Sequence, residues 1–133
     1  MSKIKPKHEA LKEISLEIYK KLPKKNLCDK TIKFLLHNYP KSLVKILDSK
    51  QTSFYDKYMI IELMSFSKEN DIIIDALLSY SKSYIPALRE VSLFSASYFP
   101  VDKVIERLEE VEILEENLII RDSVKLYLQE IFV

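Results

Sequence analysis

The 133-residue chain contains no glycine, where roughly 7% would be usual. Without a position lacking Cβ, no loop can bring its backbone close around a phosphate, so glycine-rich nucleotide motifs are excluded. Asn-Gly and Asp-Gly hairpins are excluded with them, and turns fall to Pro, Asn, Asp and Ser. Tryptophan is absent too. The single cysteine, Cys28, allows no internal disulfide and no zinc knuckle. Arginine is limited to Arg89, Arg107 and Arg121. That scarcity weakens a nucleic-acid reading, because Arg supplies the bidentate contacts to phosphate and guanine. No apolar run approaches the roughly 18 residues that span a bilayer; Tyr58-Met59-Ile60-Ile61 stops at Glu62. Residues 1–7 carry no apolar signal core, so the expectation is a cytoplasmic protein without a membrane span.

What is present is a globular composition, 47% hydrophobic and 31% charged, in a chain long enough for one domain with a core. The net charge of +1 hides an asymmetry: residues 1–50 sum to +8, residues 51–100 to −2 and residues 101–133 to −5. Such a dipole steers charged partners without determining the fold.

Apolar spacings of three and four dominate and no strand pattern of period two runs between the turns, which predicts helices throughout. They are expected over about residues 7–21, 27–38, 40–48, 53–67, 83–99, 100–108 and 117–131, with one more opening at Asn70 or Asp71 and carrying Ile73, Ile74, Leu77 and Leu78. Pro23 and Pro40 end helices, Pro86 falls in a first turn, and Pro100 is expected to open one. Residues 109–116 read as a turn. Apolar side chains lie nearly all round the helix over 53–67, which predicts a central helix covered on several sides.

Internal similarity follows. Pro86-Ala87-Leu88-Arg89-Glu90-Val91-Ser92 and Ile119-Ile120-Arg121-Asp122-Ser123-Val124 share an aliphatic-Arg-acid triplet near a helix start. Arg89 and Arg121 are 32 residues apart, and Lys57, after Asp56, lies another 32 upstream. Leu43-Val44-Lys45-Ile46-Leu47, Ile73-Ile74-Asp75-Ala76-Leu77 and Val104-Ile105-Glu106-Arg107-Leu108 align at intervals of about 30. Over roughly residues 40–132 this pattern resembles the HEAT-like α-helical repeat family, whose second helix often opens with an aliphatic-Arg pair. Asp56-Lys57 departs from that pair. The resemblance implies an all-α domain of about eight antiparallel helices in a short right-handed solenoid. Hairpins would span 40–67, 69–99 and 100–132, with residues 1–39 as an N-terminal capping hairpin. An irregular helical bundle is the alternative. The last helix should be polar outside, and Asp122, Lys125 and Gln129 meet that condition.

Sites for chemistry are few. His8 and His37 lack Glu-x-x-His partners, so no metal or cofactor is expected. Cys28 with His37 is the best nucleophilic pair, against the plainer reading of a small apolar residue and a helix-end histidine. The eight tyrosines fall mostly at core spacing, with Tyr80 and Tyr84 at a turn. Lys57, Arg89 and Arg121 form either an anion-binding groove or an internal structural ladder; the adjoining Asp56, Glu90 and Asp122 favour the ladder. The cluster Lys20-Lys21-Leu22-Pro23-Lys24-Lys25 reads as a solvated edge. The expectation is a non-enzymatic protein-binding module, an adaptor or a bacterial immunity-type protein that blocks or assembles a partner. A basic partner surface would meet Glu109, Glu112, Glu115, Glu116, Asp122 and Tyr84. The alternatives are a nucleic-acid-binding helical-repeat protein of the DNA glycosylase kind and, third, an enzyme with an unrecognised pocket.

Overall fold

A computed structural model describes residues 28–133. The helix expected over residues 7–21, His8 and the Lys20 to Lys25 cluster lie outside the described residues. Those described form seven α-helices: α1 Asp29–Asn38, α2 Pro40–Asp48, α3 Phe54–Leu63, α4 Asp71–Tyr80, α5 Pro86–Ala96, α6 Asp102–Leu114 and α7 Leu118–Ile131. A 3-10 turn, Met64–Phe66, prolongs α3, and no strand is present among the described residues. None of these helices is long and apolar enough to cross a membrane.

Local chemistry explains where the helices begin. Ser53 caps α3 by accepting from the Asp56 amide, Asn70 caps α4 through Ile72, and Asn117 caps α7 through Ile119 and Ile120. α2 and α5 open on Pro40 and Pro86, whose fixed φ suits a first turn. Pro100 does not open α6 as expected. It lies outside the helix, with Val101 at the N-cap and Asp102 the first helical residue.

The helices lie in two rows. α1, α3, α5 and α7 contact one another in series, and α2, α4 and α6 do the same. Successive helices join the rows. Both rows are periodic: α3, α5 and α7 begin 32 residues apart, and α2, α4 and α6 begin 31 apart. Leu47, Leu77 and Leu108, which the sequence aligned, are all fully buried, as are Ile60, Ile61, Ile73 and Ile74. α3 and α5 form the most extensive helix pair. Buried Ser92, Ser95 and Ala96 keep α5 slim enough for a close approach.

Three expectations change. Residues 109–114 continue α6 rather than turning, because Val111 extends the buried stripe of Val104 and Leu108 by a further turn. Only residues 115–117 connect α6 to α7. α3 packs against α1, α2 and α5 and so is covered on several sides, with Phe54, Tyr55 and Tyr58 exposed on the side left open, as is Phe66 beyond it. The free side of α7 is not uniformly polar: Leu118, Ile119 and Leu126 are exposed beside Asp122, Lys125 and Gln129. Tyrosine also stays out of the core. Tyr55, Tyr58, Tyr84 and Tyr98 are exposed, and Tyr39, Tyr80 and Tyr127 are half-buried. The phenolic hydroxyl favours positions where it keeps water or a partner.

The carboxyl ends of the helices carry the other half of the architecture. No described residue has a positive φ, so no left-handed residue closes any helix. Donors from the next helix in the same row do so instead. The Tyr80 hydroxyl of α4 donates to Leu47 O of α2 at 3.2 Å and to Asp48 Oδ1 at 2.8 Å. Ser95 Oγ of α5 donates to Ile61 O of α3 at 2.6 Å. Arg107 of α6 donates to Ser81 O and Ser81 Oγ at the end of α4, each at 3.0 Å. Replacing Leu88 or Ile120, both buried at the third position of their helices, with Ala is expected to lower the unfolding free energy by about 2–5 kcal/mol. Ser95→Ala, which removes the cross-helix donor to Ile61 O and leaves it the Met64 amide, is expected to cost about 0.5–1.5 kcal/mol. Urea denaturation monitored by circular dichroism checks all three.

Candidate functional site

The basic ladder divides. Lys57, Arg89 and Arg121 occupy the fourth position of α3, α5 and α7. Lys57 Nζ donates to Leu47 O and to Ser49 O at the end of α2. Arg89 forks onto Glu115, Nε to Oε1 at 3.0 Å and Nη2 to Oε2 at 2.9 Å, while Nη1 donates to Ser83 O at 3.1 Å. Arg121 makes no hydrogen bond or ion pair to another described residue. Two of the three cations therefore close internal joints.

The proposed acidic contact residues divide too. Burial pushes the Glu115 carboxyl up, but the Arg89 guanidinium and the Asn117 amide outweigh it and hold the group below its ordinary value. That carboxylate is mostly covered and joins the α6–α7 connection to α5. Glu109 and Glu112 lie on α6, exposed and half-buried. Glu116 is exposed in the connection, Asp122 is exposed on α7, and Tyr84 is almost wholly exposed in the α4–α5 connection. Since Arg89 touches both connections, Tyr84, Glu115 and Glu116 lie at one edge of the molecule.

That edge holds a cleft of about 520 Å³ lined by Arg89, Arg107, Val111, Leu114, Glu115 and Asn117. Both guanidiniums in it are already engaged, Arg89 by Glu115 and Arg107 by Glu110 and Ser81. Cys28 and His37 lie at opposite ends of α1, roughly 13 Å apart along the axis at 1.5 Å per residue, so they are not brought together. No group of three His, Cys, Asp or Glu side chains among the described residues is placed to hold a metal ion.

Sequence reasoning missed a broader surface on the row α3–α5–α7. The 32-residue period brings equivalent positions of these helices side by side. One rung is Tyr58, Glu90 and Asp122, the next Glu62, Phe94 and Leu126, and the third Phe66, Tyr98 and Glu130. All nine are exposed except Phe94, which is half-buried. The rungs are continuous across helices. Phe94 meets Tyr98 edge-on at 5.4 Å and Tyr127 of α7 at 6.2 Å between ring centres. Burial raises the Tyr58 hydroxyl, and Glu62 and Glu90 raise it further. Burial and Glu90 likewise raise Tyr127, with Glu130 adding to them against an opposing Ser123 bond. Carboxylates thus stand among aromatic rings, and none of the nine positions is Lys or Arg. Comparison with protein-family models, with curated proteins and with solved structures finds no match for this chain.

Asp56 completes the inventory. It occupies the third position of α3, the slot that Leu88 and Ile120 fill in α5 and α7. It is fully buried, with the Ser53 side chain beside its carboxylate. Burial raises its carboxyl, with Ser53 pulling the other way. A carboxyl raised by the fold resists ionisation, so its penalty is absent below the ordinary pKa and grows as pH rises through it. Asp56→Leu should therefore raise stability at pH 7 by about 1–3 kcal/mol, and the gain should shrink toward pH 4. Glu115, being lowered, contributes stability above its ordinary pKa that disappears as pH falls through its folded value. Glu115→Gln should accordingly flatten the loss of stability between pH 5 and about pH 3. Urea midpoints across pH test both.

Proposed function

We propose that the protein is a non-catalytic module that binds another protein, built as a short right-handed HEAT-like stack of helical hairpins. The two-row arrangement and the 31- and 32-residue intervals support the stack. Each hairpin leaves an apolar face that the next one covers, and a regular row of helices then presents one extended surface. The observation that carries the binding role is the exposed aromatic and acidic surface of α3, α5 and α7. Tyrosine and phenylalanine anchor protein interfaces because they bury much apolar area at little entropic cost. Here Tyr58, Phe66 and Tyr98 lie in the open. A helix row of this kind suits an adaptor, an assembly factor or an immunity-type protein that blocks its partner.

A nucleic-acid role is disfavoured by the same surface, since the carboxylates of Glu62, Glu90, Asp122 and Glu130 repel phosphate. Cross-linking in the source cell followed by mass spectrometry tests the proposal, with the native chain compared against Tyr58→Ala/Tyr98→Ala. The expected outcome is at least one protein cross-linked to the native chain and reduced about tenfold or more in the variant, each lost aromatic anchor being worth about 2 kcal/mol. Circular dichroism confirms that the variant is folded. Equal capture by both chains, with a folded variant, would remove this surface from the function.

A further inference from the structure

We infer that the α3–α5–α7 surface receives a basic amphipathic helix of the partner protein, with Lys or Arg on one side of its apolar stripe. This rests on the binding-module reading and names the partner's chemistry. Glu62, Glu90 and Glu130 stand beside Tyr58, Phe94, Tyr98 and Tyr127. A purely apolar partner would strip water from these carboxylates and leave them unpaired, which costs several kcal/mol per buried charge. An acidic partner would add repulsion. A polar cationic chain would pair the acids but leave the aromatic rings and Leu126 wet. Only a partner both basic and apolar satisfies both halves of each rung.

Spacing favours a helix. Neighbouring helices of a row sit about 8–10 Å apart, and two turns of an α-helix advance about 11 Å. A partner helix lying across the row would meet equivalent rungs at residues i, i+7 and i+14. Laid along the rung of Tyr58, Glu90 and Asp122, it would set cations near Glu90 and Asp122 and an apolar side chain against Tyr58, with Glu62 and Phe94 of the next rung beside it. The molecule already makes the elementary contact at the border of this surface: Lys33 Nζ of α1 lies 5.2 Å from the centre of the Phe66 ring. An ammonium over an exposed aromatic face is the cation–π arrangement that a basic partner would repeat.

The test uses the full chain and three labelled probes in fluorescence anisotropy at low salt. The first is a peptide of about 18 residues, five helical turns, with Leu at helical spacing and Lys elsewhere. The second has Glu in place of Lys, and the third is a short DNA duplex. Two protein variants change net charge equally: Glu62→Lys/Glu90→Lys on the surface, and Glu69→Lys/Glu106→Lys at exposed positions off it. The Leu/Lys peptide should bind the native chain and the off-surface variant alike. It should bind Glu62→Lys/Glu90→Lys and Tyr98→Ala at least about tenfold more weakly. Glu62→Gln/Glu90→Gln, which keeps the side-chain volume, should weaken it in the same direction, with circular dichroism confirming the fold of each variant.

Four results overturn the inference. One is no binding of the Leu/Lys peptide, and another is equal weakening by both lysine variants, which would mean general charge attraction. The third is preference for DNA. The fourth is a concentration-dependent dimer in sedimentation that Tyr98→Ala abolishes, which would make a second copy the occupant. Binding of the Leu/Glu peptide with the same Tyr98 dependence would overturn the basic class alone and leave the docking role standing.

Discussion

Every helix must dispose of the carbonyl groups at its carboxyl end, and this chain must do so without glycine. With no left-handed residue available, the donors come from elsewhere, and in three cases the next helix in the row supplies them. Tyr80 of α4 serves α2, Ser95 of α5 serves α3, and Arg107 of α6 serves α4. Ending a helix and stacking its neighbour are thus one interaction. A helix placed in the wrong order would leave buried carbonyls without partners, a penalty of about 1–3 kcal/mol each. The same bonds that finish the secondary structure therefore specify the order of the stack.

This constraint also shapes the surface left over. Cations are recruited inward to the connections: Lys57 to the end of α2, Arg107 to the end of α4, and Arg89 to Ser83 and Glu115. Glu115, which charge counting alone would offer to a partner, becomes the counter-ion of Arg89. The rungs left open on α3, α5 and α7 hold Tyr58, Phe66, Phe94 and Tyr98 among Glu62, Glu90, Asp122 and Glu130. Part of that charge pattern follows from the engagement of Lys57, Arg89 and Arg107 elsewhere.

Helix beginnings were legible in the sequence and helix endings much less so. A beginning depends on neighbours within three residues, so Ser53, Asn70 and Asn117 as caps and Pro40 and Pro86 in first turns could be read directly. An ending here depends on partners 26 to 34 residues away, beyond any local pattern. The run Glu109 to Glu112 misled for a related reason. Clustered charge reads as a turn, yet Glu is a good helix former, and Val111 needed one more turn to reach α7. The aromatic surface was hidden differently. Periodicity shows which residues share a side of a helix but not what covers that side, so Tyr58 and Tyr98 read as core. The missing signal was the 32-residue interval itself. Applied beyond Arg89 and Arg121, it would have aligned Tyr58 with Glu90 and Asp122, and Glu62 with Phe94 and Leu126.

Asp56-Lys57 departs from the corresponding pairs of α5 and α7 while the 32-residue spacing of the helices holds. In α5 and α7 the corresponding pairs are Leu88-Arg89 and Ile120-Arg121. Arg89 is a planar fork and grips the two oxygens of Glu115 at once. At the first joint the acceptors are instead carbonyl oxygens, Leu47 O and Ser49 O, without a carboxylate between them. A compact ammonium with freely rotating donors suits that site better than a fork. Burial pulls the Lys57 ammonium below its ordinary pKa, and the nearby Asp48 carboxylate opposes that pull. Asp56 is the costlier departure, a carboxylate in an apolar slot, offset in part by its place in the first turn of α3, where the helix dipole favours negative charge. At Lys57 and Arg89 the position thus keeps a joining role, on the end of α2 and on the two connections around α5, while the residue that performs it changes with the acceptor. A motif defined by residue identity fades under such exchange, whereas the spacing of the helices does not.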